Sequence, residues 1–138
     1  MPTRTEAPDT RAARRSRAAA LLCLVVVLGV ALQAVRDRVP GGDLAGTILW
    51  TVAVACVVRA VVPGAGARTV AGVATSAGVL VELAQLTPWP RDAAAAFGPA
   101  RLVLGTSFAA ADLLGYVLGG LLAWGVLRWT DGPDSPTD

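Results

Sequence analysis

The sequence contains no histidine and no lysine, and only 16% of its 138 residues are charged. Without histidine, the chain lacks the side chain that proteins use most often as a neutral-pH general base or as a metal ligand. This excludes a Ser-His-Asp triad and argues against a zinc site, so we expect no metal and no cofactor. All twelve basic residues are arginine, which together with abundant Ala, Val and Gly indicates a GC-rich genome rather than a chemical requirement.

Cysteine is also scarce. Cys23 and Cys56 both fall within long apolar runs rather than in loops. A thiol in such surroundings behaves mainly as a small apolar group. We therefore interpret both cysteines as packing residues and expect no disulfide.

The apolar runs are what the sequence has in abundance, with a mean hydropathy of +0.59. A soluble domain would carry about 25% charged residues and would not gather its apolar residues into runs long enough to cross a bilayer. The fold class predicted is therefore an all-α integral membrane bundle of four transmembrane helices. The predicted spans are residues 18–35, 44–62, 69–87 and 106–127, separated by short segments rich in Pro and Gly.

The two ends are polar and are predicted to be disordered cytoplasmic tails, residues 1–17 and 129–138, flanking a transmembrane domain of residues 18–128; nascent helix is the alternative for residues 1–17. The first tail is basic. Nucleic-acid binding is one interpretation, but a basic cluster directly before an apolar span is typical of a topogenic signal. We therefore expect no nucleic-acid partner. In the loop of residues 91–105, a short interfacial helix is predicted at Ala93–Phe97, capped by Asp92.

Arginine counting predicts the orientation. With the amino terminus inside, eight arginines fall on the cytoplasmic side: Arg4, Arg11, Arg14, Arg15, Arg17, Arg59, Arg68 and Arg128. Four fall outside: Arg36, Arg38, Arg91 and Arg101. This bias predicts a multi-pass membrane protein with both termini in the cytoplasm. Arg59, near the end of the second span, is expected to snorkel to the headgroups, with a buried functional role as the alternative.

Polar side chains interrupt the third and fourth spans near their outer ends. Glu82 and Gln85 are spaced i,i+3, and Asp112 and Tyr116 i,i+4, so each pair shares a helix face. Glu82 and Asp112 each lie about 9 Å below the outer boundary at helical rise. We expect a ligand-binding pocket open to the outer face, with Arg91 neutralising the acids or holding an anionic group. The alternative is an internal hydrogen-bond network that fixes helix register, and the Gly115–Gly119 pair indicates close helix packing.

Three motifs run through the same residues. They are D-x₆-W, then E-x-x-Q-L-x-x-W-x-R, then L-x-L-G-x-x-F-x-x-x-D-L-x-x-Y-x-x-G. They are carried by Asp43 and Trp50; by Glu82, Gln85, Leu86, Trp89 and Arg91; and by Leu102, Leu104, Gly105, Phe108, Asp112, Leu113, Tyr116 and Gly119. Over residues 36 to 128 the chain resembles the bacterial membrane family catalogued as domain of unknown function 2809.

That family is in turn similar to the VanZ-like proteins, whose name is attached to low-level resistance to teicoplanin. Their outer-side pattern also joins a Glu-x-x-Gln to an Arg, an Asp and a Gly. In this chain about twenty residues separate Arg91 from Asp112, which VanZ-like proteins place close together. Tyr116 stands where they favour Asn.

Three functional hypotheses follow. The first is a non-enzymatic VanZ-like membrane protein that binds an envelope lipid or peptide at the outer pocket. The second is an accessory subunit that packs against itself or a larger membrane complex, with the polar residues fixing register. The third is an intramembrane enzyme using Glu82 and Asp112 as acid and base. In all three, membrane lipids are the expected surroundings and partners.

Overall fold

A computed structural model describes residues 8–35, 38, 40–105 and 108–132. The described residues form six helices and no strand, so the all-α prediction is confirmed. In chain order the helices are α1 (Pro8–Val35), α2 (Gly42–Val61), α3 (Ala67–Ala84), α4 (Trp89–Ala96), α5 (Ala100–Leu104) and α6 (Ala110–Asp131).

Within the described residues, four helices are long and apolar enough to cross a membrane: α1, α2, α3 and α6. Large apolar side chains project outward from them, and Leu24, Val27, Val61, Leu80 and Leu121 are each more than half exposed. Soluble proteins rarely leave so much contiguous apolar surface uncovered, whereas lipid covers it in a membrane bundle. The predicted architecture of four membrane-spanning helices is therefore confirmed in the length and composition of the helices.

The four long helices form one bundle in which α1 packs on α2, and α2, α3 and α6 pack on one another. Small and branched residues fill the interior: Val25, Val52, Ala55, Cys56, Val70, Ala74, Ala123 and Leu127. Cys56 is a buried free thiol in this core, as its interpretation as a packing residue predicts, whereas Cys23 is free and exposed. At one end of the bundle α1 and α3 begin and α2 and α6 end. We call this the arginine-rich end, and the opposite one the α4–α5 end.

All four long helices differ from the predicted spans, α1 and α6 the most. α2 and α3 each begin two residues early, at Gly42 and Ala67, and α3 ends at Ala84 rather than at residue 87. α1 begins at Pro8 rather than at residue 18, so residues 8–17 are part of a continuous helix rather than disordered or only nascently helical. Proline is favoured in the first helical turn, where its missing N–H has no partner to lose, and Ala and Arg are good helix formers. α6 begins at Ala110 and continues through Asp131. The rest of the two predicted tails, residues 1–7 and 133–138, lies outside the described residues.

The segment between α3 and α6 contains two short helices rather than the one predicted at Ala93–Phe97. α4 begins earlier, at Trp89, with Pro90 in its first turn and Asp92 within that turn instead of at the cap. Gly98 and Pro99 separate α4 from α5. α4 packs mainly against α5, so this pair forms a small unit at its end of the bundle.

Glycines allow α6 to approach its neighbours closely. A Cβ at Gly115 would lie 2.7 Å from Thr47 Cγ2, and one at Gly119 would lie 2.6 Å from Thr51 Cβ and 2.9 Å from the Ile48 carbonyl oxygen. Real Cβ atoms are not found at such distances. The close packing predicted from the Gly115–Gly119 spacing is therefore confirmed, and its partner is α2.

Candidate functional site

Glu82 is the centre of the polar residues at the α4–α5 end. It lies in the last turn of α3, and its side chain is fully buried. One carboxylate oxygen accepts a hydrogen bond from the Ala109 backbone N–H, at the start of α6. The other accepts one from the Tyr116 hydroxyl at 3.4 Å. Glu82 therefore joins the end of α3 to the beginning of α6.

Tyr116 is held in place by its two neighbouring helices. Its ring lies directly over Gly78 of α3, where a Cβ would come within 2.3 Å of the ring. The ring of Trp50, on α2, meets it edge-on, with centroids 5.7 Å apart and planes at 66°. Aromatic pairs prefer such T-shaped contacts. The contacts on both sides fix the hydroxyl at the height of Glu82.

Gln85 lies directly after α3, and its amide bridges to the end of α5. Its Nε2 donates to the Leu104 carbonyl at 2.6 Å. Gly105, which has a φ of +64°, ends α5, and a Cβ there would lie 2.6 Å from Nε2, so this approach requires glycine. The Gln85 Oε1 is buried and has no hydrogen-bond partner among the residues that the structure describes. Buried acceptors in this state are rare.

We name Glu82, Gln85 and Tyr116 the acceptor cluster. The Glu82 carboxylate has about four lone-pair positions, and the contacts above occupy two of them. Gln85 adds a buried carbonyl oxygen with no donor. Hydrogen-bond acceptors therefore outnumber donors at this site.

The other two predicted site residues lie to either side of this cluster. Asp112 accepts a hydrogen bond from Thr47 Oγ1 of α2 at 2.8 Å, so its carboxylate is engaged by a different helix from those that hold Glu82. Arg91 is exposed on α4. The neutralising role expected of Arg91 stays a prediction.

A second polar cluster, at the arginine-rich end, was missed by the sequence analysis. Arg59 is only 1% exposed and donates to Asp131 Oδ2 at 2.7 Å and to the Ala65 carbonyl at 2.5 Å. Arg14 Nε lies 3.4 Å from the other oxygen of Asp131. We call Arg14, Arg59 and Asp131 the arginine clasp. The expectation that Arg59 snorkels to headgroups is wrong, because α6 extends far enough to bring Asp131 to it.

The basic segment of α1 strengthens this end through backbone carbonyls. Arg15 Nε donates to the Ala60 carbonyl at 2.8 Å, and Arg17 donates to the Thr130 carbonyl at 2.6 Å. Both acceptors belong to the last turns of helices, whose carbonyls lack intrahelical donors. A comparison of the depths of the charged residues along their helices would have found the clasp, since Arg59 and Asp131 lie in the last turns of α2 and α6.

Metal ligation has no support in the part of the chain that the structure describes, which holds no group of three or more Cys, Asp or Glu residues arranged to bind a metal ion. What the acceptor cluster offers chemically is hydrogen-bond acceptance and one ionisable carboxyl. It suits a ligand that carries N–H or O–H groups.

Comparison with known proteins places these residues in a family. No curated protein and no solved structure matches the chain. The model of a family described as "Protein of unknown function (DUF2809)" matches residues 42–120. That stretch runs from the start of α2 into α6, is more than half of the chain and contains the whole acceptor cluster. The chain therefore belongs to the DUF2809 family of proteins of unknown function.

Proposed function

We propose that this chain is a non-enzymatic membrane protein that binds a cell-envelope component or lipid headgroup at the α4–α5 end of the bundle. The observation that carries the proposal is the surplus of buried acceptors around Glu82 and Gln85. A ligand with an ammonium or several hydroxyls would supply the missing donors, and hydrogen bonds to a charged partner are the stronger ones. Such a role would agree with the resemblance to VanZ-like proteins.

The arrangement of the two acids supports binding rather than acid–base catalysis. A catalytic acid and base must both come within hydrogen-bond reach of the same substrate. Here Asp112 is bonded to Thr47 of α2, whereas Glu82 is bonded to Ala109 and to Tyr116. The intramembrane enzyme is therefore not our proposal.

Access to the acceptor cluster involves the α4–α5 pair. One hydrogen bond holds this pair to the bundle near the site, from Gln85 to the Leu104 carbonyl at the end of α5, and a second, from the Ala109 N–H to Glu82, holds the start of α6 beside it. A headgroup that carries N–H or O–H groups would take the place of the donors in these two hydrogen bonds. Arg91 is exposed on α4, where it would hold the phosphate of the same headgroup.

A second candidate function is an accessory subunit of a membrane complex in which the polar residues fix helix register. It is favoured by the way the bonds are distributed, since Glu82 joins α3 to the start of α6, Gln85 joins α3 to α5, and Asp112 joins α6 to α2. Interhelical hydrogen bonds of this kind are worth about 0.6 kcal/mol each in membranes.

Glu82→Gln combined with Asp112→Asn separates these two functions. The double variant keeps the shape of both side chains, and we expect it to fold while retention of phosphatidylethanolamine falls at least about tenfold, since a charge-assisted hydrogen bond is worth roughly 1.5–3 kcal/mol. Native mass spectrometry in micelles measures this retention. Phosphatidylcholine serves as the reference lipid, because its trimethylammonium group has no N–H to donate.

Asp43→Asn is the matched control, since Asp43 is an exposed carboxylate in the first turn of α2. It should leave lipid retention unchanged. Unchanged phosphatidylethanolamine retention in the double variant would contradict the proposed pocket. Loss of the folded bundle in the double variant would favour the register function.

The orientation we propose has both termini in the cytoplasm of a bacterial cell. Seven arginines of the described residues lie at the arginine-rich end: Arg11, Arg14, Arg15, Arg17, Arg59, Arg68 and Arg128. Arg38, Arg91 and Arg101 lie at the other end. Because cytoplasmic segments carry the excess of basic residues, the arginine-rich end should face inward.

Reporter fusions test this orientation. A fusion after Arg68 is expected to be active only with a cytoplasmic reporter, and one within residues 91–105 only with an external reporter. External activity after Arg68 would overturn the arrangement.

A further inference from the structure

An apolar groove runs along the outside of the bundle between α3 and α6. Its volume is about 330 Å³, and its walls are formed by Ala71, Gly72 and Thr75 of α3 and by Val117, Gly120 and Leu121 of α6. The groove exists because the side chains between the two helices are small. An added Cβ at Gly72 would meet no atom within 4 Å, so this wall is open.

The groove ends at two arginines. Trp124 of α6 closes it, with the Arg68 guanidinium 5.9 Å and the Arg128 guanidinium 5.7 Å from the centre of its ring. Both distances are within the range of cation–π attraction. Arg68 lies in the first turn of α3 and Arg128 in the last turn of α6, so both cations are at the arginine-rich end and both are exposed.

Asp131 is the acidic residue nearest to Arg128 along the chain, and it is bonded to other arginines. Its two carboxylate oxygens are held by Arg59 and Arg14 in the arginine clasp. The clasp thus directs this carboxylate inward, where it is only 7% exposed, and away from Trp124. An apolar groove that ends in a pair of cations is complementary to one class of membrane molecule, a lipid with a hydrocarbon tail and an anionic head.

We propose that this groove binds an acyl chain of an anionic phospholipid from the leaflet at the arginine-rich end, with Arg68 and Arg128 holding its phosphate beside Trp124. This site shares no residue with the acceptor cluster and does not depend on the proposed function. A second copy of the chain is a poorer occupant of the groove. A two-fold dimer in the membrane would place Arg68 and Arg128 at the same depth as the same residues of the second copy, and these like charges would repel one another.

Lipid competition in micelles tests the charge part of the proposal. The full chain is purified with equal amounts of phosphatidylglycerol and phosphatidylcholine, and bound lipids are counted by native mass spectrometry. We expect wild type to retain one phosphatidylglycerol in preference. Arg68→Gln with Arg128→Gln should reduce that preference roughly 25-fold, about fivefold for each arginine.

The matched control is Arg38→Gln with Arg101→Gln, which removes the same charge from exposed arginines at the opposite end. It should keep the preference for phosphatidylglycerol. Equal retention of the two lipids by wild type would overturn the proposal, as would an equal loss in the control pair.

Gly72→Leu tests the groove itself. The new side chain enters open space, so the bundle should fold while the retained lipid is lost. Gly125→Leu, on α6 but not in the groove, also enters open space and should retain the lipid. Unchanged phosphatidylglycerol retention in Gly72→Leu would contradict the site. So would a wild-type dimer without bound lipid that Gly72→Leu converts to a monomer, because the groove would then belong to a second copy.

Discussion

Replacing Asp131 with alanine is expected to lower the free energy of unfolding by roughly 3–5 kcal/mol, the usual cost of removing one partner from a buried ion pair. The reason is the burial of Arg59, which is 1% exposed and would keep its charge after losing the carboxylate 2.7 Å away. Thermal unfolding in detergent micelles, followed by circular dichroism, measures the loss.

Two further variants make this prediction specific. Asp92→Ala removes an exposed carboxylate from α4 and should change the unfolding temperature little. Arg59→Met combined with Asp131→Leu removes both charges and should recover much of the loss, because an apolar pair can replace a buried ion pair. If Asp131→Ala unfolded at the same temperature as Asp92→Ala, the clasp would have no role in stability.

Gly119→Leu is expected to be comparably damaging, by more than about 3 kcal/mol, which is the upper end of the usual overpacking range. Any side chain at this position meets Thr51 and the backbone carbonyl of Ile48, and a backbone atom cannot move aside as the tip of a flexible side chain can. α6 would have to move away from α2, which would also separate Asp112 from Thr47.

Gly125→Leu is the control on the same helix, since a side chain there enters open space. It should leave stability unchanged or raise it slightly, because leucine favours helix more than glycine does. Equal unfolding temperatures for Gly119→Leu and Gly125→Leu would mean that α2 and α6 do not pack at Gly119.

The sequence predicts structural features that depend on the surrounding lipid or water, such as the location of the spans. It predicts less well the features that depend on contacts between helices. Apolar run length located the four spans, because crossing a bilayer requires about twenty apolar residues. It could not locate the ends of α1 and α6, since a helix continues past the apolar run where charged residues find partners. Arg17 and Asp131 both do so, one on the Thr130 carbonyl and the other on Arg59.

The candidate site shows the same difference between what the sequence predicts and what contacts between helices decide. Helical rise placed Glu82 and Asp112 at matching depth, whereas the structure brings Glu82 together with Tyr116, one turn further along the same helix face. Asp112 shares its helix face with Tyr116, yet it is bonded to α2. Residues four apart differ by about 40° around a helix, and α6 packs against both α2 and α3, so one face can meet two neighbours. Which neighbour each side chain contacts is decided by tertiary packing.

The arginine clasp also has a consequence for the order in which the chain is made. Arg59 is synthesised with the second span, whereas Asp131 follows the last. During translation the ribosome must therefore add more than seventy residues before Arg59 meets its carboxylate. Until then Arg59 can donate to backbone carbonyls such as that of Ala65 but has no carboxylate to offset its charge, and such a charge is costly within a bilayer. Completion of the last helix is thus the event that supplies the counter-ion of the second.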